Sequence, residues 1–259
     1  LLPDVIGIVV SLADEASAHI GEQLRSLADW EQRTAGVYRT DGFELREYED
    51  FHLHLDGVAD DFDDVECLVF ASRHSGETGK LLSAHYTGNF GEAEYGGASR
   101  DLSTPCPVAH RRVIHALDAN APVEWDVAME CTHHGPTDVG APAMFVELGS
   151  SESEWRDAEG ARAVAKSILE LGENATERDR TVVAFGGNHY APRPTRLIRE
   201  TDVAVGHVAA DWSLNELGKP DAHPDVIEQI FAHSDTDLAV FEGDHPAVRS
   251  VVEDLGYRV

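Results

Sequence analysis

Lysine is almost missing from this chain. Of its 259 residues only Lys80, Lys166 and Lys219 carry an ammonium, and the other 17 basic residues are arginines. Against these 20 cations stand 48 acidic side chains, a formal balance of −28 at pH 7. That excludes the broad basic face by which proteins grip nucleic acid through counterion release. Cysteine is scarce too: Cys67, Cys106 and Cys131 lie far apart with no CxxC, which excludes a disulfide framework and a thiolate zinc finger. No apolar run approaches the ~20 residues of a bilayer-spanning helix, so no membrane partner is expected. The opening LLPDVIGIVV has neither a basic n-region nor a small-residue cleavage site. No signal peptide is therefore expected, the cytoplasm is the expected address, and the first four residues read as an extension. Linker-like, repetitive and low-complexity stretches are also missing, so one domain over residues 1–259 is expected.

The acidic residues are spread along the chain, as at Asp60, Asp61, Asp63 and Asp64 or Glu152, Glu154, Asp157 and Glu159, and form no tail. A diffuse acidic coat with so little lysine fits a proteome adapted to molar salt, where the Debye length falls to ~3 Å and self-repulsion is screened. The plainer alternative is an ordinary acidic enzyme.

Short, continuously apolar runs alternate with helical patterns. Val5–Val10, Cys67–Ala71, Val123–Glu130, Ala143–Leu148, Thr181–Phe185, Val203–Val208 and Leu238–Phe241 read as strands, most of them buried on both faces. Asp14–Trp30, Pro107–Ala119, Ser153–Leu171, Asp225–His233 and Pro246–Leu255 carry helical apolar stripes, and Ser151 with Glu154 resembles a capping box. The alternation predicts an α/β fold, a mixed or largely parallel sheet flanked by helices. In such folds ligands gather at the carboxyl ends of strands. Four strand ends here carry glycine, hydroxyl or imidazole groups: 72–76, 132–138, 149–152 and 186–193.

The imidazoles carry the chemistry. His133 and His134 would point to opposite faces of a regular strand, but Gly135-Pro136 breaks it and lets both rings turn together. With Asp138 close by they can hold zinc and leave a position for water, whose pKa zinc lowers to ~7. The blander alternative has one ring bonded to a carbonyl and the other solvated. His189 follows Gly186-Gly187, whose amides can form an oxyanion nest or simply turn the chain. His74 and His85 flank a glycine-bearing loop ending at Asn89. His207 lies inside an apolar strand, where a satisfied core role is the commoner one. Glu147, inside another, requires a metal, arginine or histidine partner. The remaining histidines, His52 and His110 among them, read as surface or packing residues. Nucleophilic serine chemistry is poorly supported: there is no GxSxG, and Ser150-Ser151 stand where a helix needs its cap. Cys131 reads as a structural thiol rather than half of a Cys/His dyad.

THHGPTD (132–138), FVELGSSE with Trp155 (145–155), GGNHYAPR (186–193), SRHSGETG leading to His85 and Asn89 (72–89) and Gly206-His207 resemble, in order and spacing, the D-aminoacyl-tRNA deacylases of the archaeal and plant type. The resemblance runs from IGIVVSLADEAS onward. It implies a phosphorylase/hydrolase-like α/β domain related to peptidyl-tRNA hydrolases. It also implies hydrolysis of the ester between a D-amino acid and tRNA, two zinc ions per chain and a monomer. On this reading His74, His85, His133, His134, His189 and His207 are candidate metal ligands. His133, His134, Glu147, Asp138, Gly187 and Asn188 are candidates for the catalytic step, and Arg73, Asn89, Thr137, Tyr190 and Arg193 for substrate contact. One departure is the family's Asp-x-Lys-Gly element near the C-terminus, replaced by Phe241-Glu242-Gly243-Asp244-His245.

A −28 chain can read tRNA only locally, at the 3′ acceptor end. Arg73, Arg100, Arg111, Arg112, Arg193, Arg196 and Arg199 are the candidate cations, and Tyr190 a stacking platform for the terminal adenine. A metal-free route would use His133 or His134 as general base. Two rival classes stand beside this one: another hydrolase or phosphorylase on the same fold, and a non-catalytic RNA-binding module.

Overall fold

The computed structural model describes residues 5–172 and 180–259, so residues 1–4, read above as an extension, lie outside the described residues. In chain order the strands are β1 (Val5–Ser11), β2 (Glu31–Thr34), β3 (Val37–Thr40), β4 (Phe43–Tyr48), β5 (Val65–Arg73), β6 (Leu81–His85), β7 (Gly88–Asn89), β8 (Asp101–Leu102), β9 (Asp126–Met129), β10 (Ala143–Gly149), β11 (Arg180–Phe185), β12 (Val203–Ala209) and β13 (Ala239–Phe241). The helices are α1 (Glu15–Leu27), α2 (Pro107–Asn120), α3 (Glu152–Trp155), α4 (Ala158–Leu169), α5 (Pro192–Glu200), α6 (Asp211–Leu217), α7 (Pro224–His233) and α8 (Pro246–Asp254).

Eight strands form one mixed sheet in the order β2-β3-β4-β1-β5-β10-β6-β9, and β12-β11-β13 form a smaller parallel sheet. Strands β4, β1, β5 and β10 run parallel, as do β6 and β9. The β10–β6 pair and the β2–β3–β4 ribbon are antiparallel. The expected α/β architecture with a mixed, mostly parallel sheet is the one found.

The central strands read as unbroken apolar runs because both of their faces are covered. On one face α4 lies between α1 and α2. Their stripes (Ile20 and Leu24, Val164 and Ile168, Val113 and Leu117) meet Ile8, Val10, Val69 and Val146 in the main core. Close approach of α4 needs Gly160, where a Cβ would lie 2.6 Å from the Trp125 ring. On the other face Val9, Leu68, Phe70 and Phe145 pack against Leu55, Val58, Phe62 and Val139. The small sheet shares the main core through Val182, Ala184, Val205 and Val208, and its other side meets α7 and α8.

Two helices differ from expectation. The first ends at Leu27, and the Trp30 indole N–H then donates to the Leu24 carbonyl at 2.8 Å. The stretch 153–171 is divided, because Asp157 accepts the Glu159 and Gly160 amides, both at 2.9 Å, and starts a new helix there. The Ser151–Glu154 capping box closes the short α3 before it. Distant in sequence, the free Cys67 and Cys106 thiols come within 2.8 Å of each other.

Candidate active site

Strand register assembles the floor of the site. Phe145 and Glu147, two residues apart on β10, share a face of the sheet. Register sets Phe70 and Ser72 of β5 beside them on one flank, and His85 and Ser83 of β6 on the other. Glu147 is buried, and its partners are imidazoles: His85 Nε2 lies 3.5 Å from Oε1 and His74 Nδ1 3.6 Å from Oε2. A second buried carboxylate, Glu130, follows β9. His189 Nε2 contacts its Oε2 at 2.6 Å, His74 Nδ1 faces Oε1 at 3.1 Å and His133 Nε2 stands 3.9 Å away. The His74 contact is an ion pair without hydrogen-bond alignment, so Glu130 Oε1 accepts no hydrogen bond among the described residues.

The adjacent His133 and His134 converge because His134 adopts φ +44°, a left-handed conformation that breaks strand alternation. Their ring centroids are 4.5 Å apart, and those of His85 lie 4.2 and 4.9 Å from them. Each of these three rings spends Nδ1 on a backbone carbonyl: His85 on Tyr86 at 3.1 Å, His133 on Cys131 at 2.8 Å and His134 on Gly135 at 2.7 Å. A carbonyl only accepts, so Nδ1 carries the proton in each. In His133 and His134 this leaves Nε2 its lone pair, the arrangement that orients imidazoles as metal ligands. Burial disfavours a charged His85 but is outweighed by Glu147, which raises that ring above the ordinary imidazole range. One ligand atom from each of His85, His133 and His134 lies within 4.8 Å of the others. The same holds for Cys131, His133 and His189, and for His74, Glu130 and Glu147. The buried His85 Nε2 has no hydrogen-bond partner among the described residues. These donors fit a zinc-type cation.

Charge is sorted within the cluster. Burial, reinforced by the neighbouring His85, pushes His133 well below the ordinary imidazole range and His134 down to about 4, so both are neutral. Burial also disfavours a charged His74, but Glu130 and Glu147 outweigh it and raise this ring to about 10. His189 likewise overcomes burial through Cys131 and Glu130 and rises to about 10. Burial would raise both carboxyls. His189 and His74 instead hold Glu130 well below its usual range, and His85 and His74 bring Glu147 to about 2. Two anions and flanking imidazolium groups thus border two neutral rings.

The cluster lies at the base of a cleft of about 480 Å³, lined by His74, His133, His134, Glu147 and His189 and, toward its mouth, by Phe51, Arg73, Tyr95 and Trp212. Of the six candidate metal ligands, the structure gathers five. His207 is the exception. Thr132 Oγ1 and the Ser103 carbonyl, each at 2.9 Å, occupy its two ring nitrogens, and it sits in the core at zero exposure. Among the catalytic candidates Asp138 is exposed and lines a separate depression with Thr137 and Pro142, away from the histidine pair. The Gly186-Gly187 amides do not form a nest: they donate to the Ala209 carbonyl at 2.8 Å and to Asp211 Oδ1 at 3.2 Å. The pair adopts φ +88° and +83°, and a Cβ on Gly186 would overlap the Glu242 carbonyl, so the turn requires glycine there. Its work is to present His189. Asn188 is exposed, and its Oδ1 accepts the Tyr190 amide at 3.0 Å.

Asn89 lines the cleft and holds its wall by donating to the Gly96 and Ala98 carbonyls at 2.9 and 3.1 Å. Thr137 supports the same loop by accepting the Ala98 amide at 3.0 Å. Tyr190 places its hydroxyl 3.5 Å from His74 Nε2. Arg193 stands apart, paired with Glu242 at 3.6 Å in a neighbouring groove with Arg196 and Phe241. Arg100 and Arg199 are paired with Glu92 and Asp118, so the candidate arginines form no common cluster. Glu130 was not singled out from the sequence. Its one signal is an acid closing an apolar strand immediately before a histidine-bearing turn. Of the histidines read as surface or packing residues, His52 and His110 are buried.

A family model described as D-aminoacyl-tRNA deacylase matches residues 61–259. A D-aminoacyl-tRNA deacylase of Halobacterium salinarum is 56% identical over 256 residues, covering 98% of this chain and 56% of that protein. One from Archaeoglobus fulgidus is 35% identical over 219 residues, covering 81% of this chain and 79% of its own length. The chain thus spans little more than half the length of the first of these relatives. The crystal structure of a conserved protein of unknown function, AF0625, superposes with a TM-score of 0.91 at 29% identity, covering 100% of this chain and 95% of that one. On the family match, the identities and the shared fold, the chain belongs to the D-aminoacyl-tRNA deacylase family.

Proposed function

We propose that this chain hydrolyses the ester bond of D-aminoacyl-tRNA at the 3′ acceptor end, releasing the free D-amino acid and tRNA, as a cytoplasmic monomer. The observation that carries the reading is the convergence of five imidazoles and two buried glutamates on one cleft, within a chain of the deacylase family. Zinc is the cofactor that fits, and Nε2 of His85, His133 and His134 would hold it. When bound, it would supply a Lewis acid and lower the pKa of a coordinated water to ~7.

The chain's own groups do the rest. Glu147 orients His85, and Glu130 fixes His189 and His74. The His74 imidazolium, with the Tyr190 hydroxyl beside it, presents positive charge and a donor to the oxygen that becomes anionic as the ester carbonyl is attacked. Phe145 and the ring faces of the histidines keep the floor dry, which strengthens these interactions. Chirality is set by fit: with the carbonyl against His74, the D and L forms send side chain and amino group in exchanged directions. The test compares D-Tyr-tRNA, L-Tyr-tRNA and N-acylated aminoacyl-tRNA in molar KCl. Turnover of the D ester alone is expected, and equal turnover of the L ester removes the proofreading assignment.

A further inference from the structure

Arg73 lines the cleft. Arg100, Arg156, Arg193 and Arg199 each pair with a carboxylate, whereas the Arg73 guanidinium forms no ion pair among the described residues. It lies between two rings instead, its Cζ 4.9 Å from the centroid of Phe51 and 5.0 Å from that of Trp155. The clamp is anchored: the Trp155 indole N–H donates to the His74 carbonyl at 2.8 Å, and the Arg73 backbone amide donates to the buried Asp14 carboxylate at 3.1 Å. A cation–π contact consumes none of the guanidinium N–H donors, so they stay available to a further partner. Arg73 lines the cleft one residue from His74, and Glu92, Glu94 and Glu216 line it elsewhere.

The geometry points to Arg73 as the binding residue for a phosphodiester of the RNA 3′ end, an inference that rests on the deacylase reading and deepens it. An aminoacyl ester has no free carboxylate, so the anions of such a substrate are its phosphates. A planar, pre-positioned guanidinium takes two phosphate oxygens side by side. In molar salt, with a Debye length of ~3 Å, only a contact this close distinguishes phosphate from solvent ions.

The test uses two esters, D-tyrosyl-adenosine with and without a 5′-phosphate, on the wild type and on Arg73→Met. The wild type should show a KM about 10- to 100-fold lower for the phosphorylated ester, the size of a charge-assisted contact. In Arg73→Met that advantage should vanish, the KM values of the two esters converging, with an unchanged circular dichroism spectrum to report that the variant is folded. Arg73→Lys should recover part of the advantage. Loss of both activities, or an unchanged preference in Arg73→Met, overturns the inference. Failure of the wild type on both esters and on D-Tyr-tRNA is failure of the deacylase reading. In that case calorimetric binding of 5′-AMP against adenosine still decides the role of Arg73, and equal affinities in the wild type overturn it.

Discussion

Nε2 of His189 lies 2.6 Å from Oε2 of Glu130, a carboxylate with zero exposure that also faces His74 at 3.1 Å and His133 at 3.9 Å. One buried acid thus ties the glycine-turn histidine, the histidine that follows β5 and His133 into a single unit. Glu130→Gln keeps the shape and removes the charge. Partners of this kind, standing behind reactive or ligating imidazoles, are worth roughly 10- to 100-fold in activity or metal affinity. A loss of that size in D-Tyr-tRNA hydrolysis is expected, with unchanged circular dichroism. Activity within threefold of wild type would falsify the organising role of Glu130.

His207 should behave in the opposite way. Thr132 Oγ1 accepts the Val208 amide at 3.2 Å, so its own proton goes to His207 Nδ1, and the His207 Nε2–H donates to Ser103. Burial lowers this ring to about 3, which keeps it neutral. His207→Ala should lose about 2–4 kcal/mol of stability through the cavity and the Thr132 hydroxyl left without its acceptor. Metal content and turnover per folded molecule should stay near wild type. Loss of metal at unchanged melting temperature would restore His207 as a ligand.

The contrast between these two residues shows what the sequence made legible. Strands β1, β5, β10, β11 and β12 stand out as apolar runs because helices and loops cover both of their faces. Strands β2 to β4 do not: EQRT is fully exposed and VYRT half-buried, so neither carries an apolar signal. Helix α5 was hidden by Pro192, Pro194 and its arginines, although proline is compatible with a first helical turn. His85, His133 and His134 could be found because imidazoles beside glycine at strand ends are unusual. Glu130 could not, since a charged residue closing a strand is ordinary, and its burial comes from His74 and His189, far away in the chain. For Asp138, position in the sequence does not say which side of the turn faces the cleft, whereas the core role that its apolar strand suggests for His207 is the one found.

Metal analysis tests the three Nδ1-anchored rings together. Protein purified in molar KCl should retain a divalent transition ion, and a strong chelator should remove both ion and activity, with zinc restoring it. His85→Ala and His134→Ala should each weaken retention at least ~10-fold, because three-imidazole sites lose their geometry with any one ligand. Full turnover by protein shown to be metal-free sinks the zinc assignment and favours His133 or His134 as general base.

A fourth prediction concerns acid stability. His110, on α2, is buried with neither ring nitrogen hydrogen-bonded among the described residues, and it packs 4.8 Å from the Tyr86 ring. Burial lowers it from the usual 6.5 to about 4. Between those values the unfolded chain takes up a proton that the folded chain refuses. Stability is therefore fully present above pH 6.5 and is lost as pH falls toward 4, by about 3 kcal/mol for this group. His52, lowered to about 3 by burial, adds to the same slope. His110→Leu abolishes one proton site without removing a hydrogen bond, so whatever repacking costs is independent of pH. In molar KCl its melting temperature should fall less steeply from pH 6.5 to 4 than that of wild type. Parallel curves would mean that this imidazole protonates in the folded state, and that the space around it admits water.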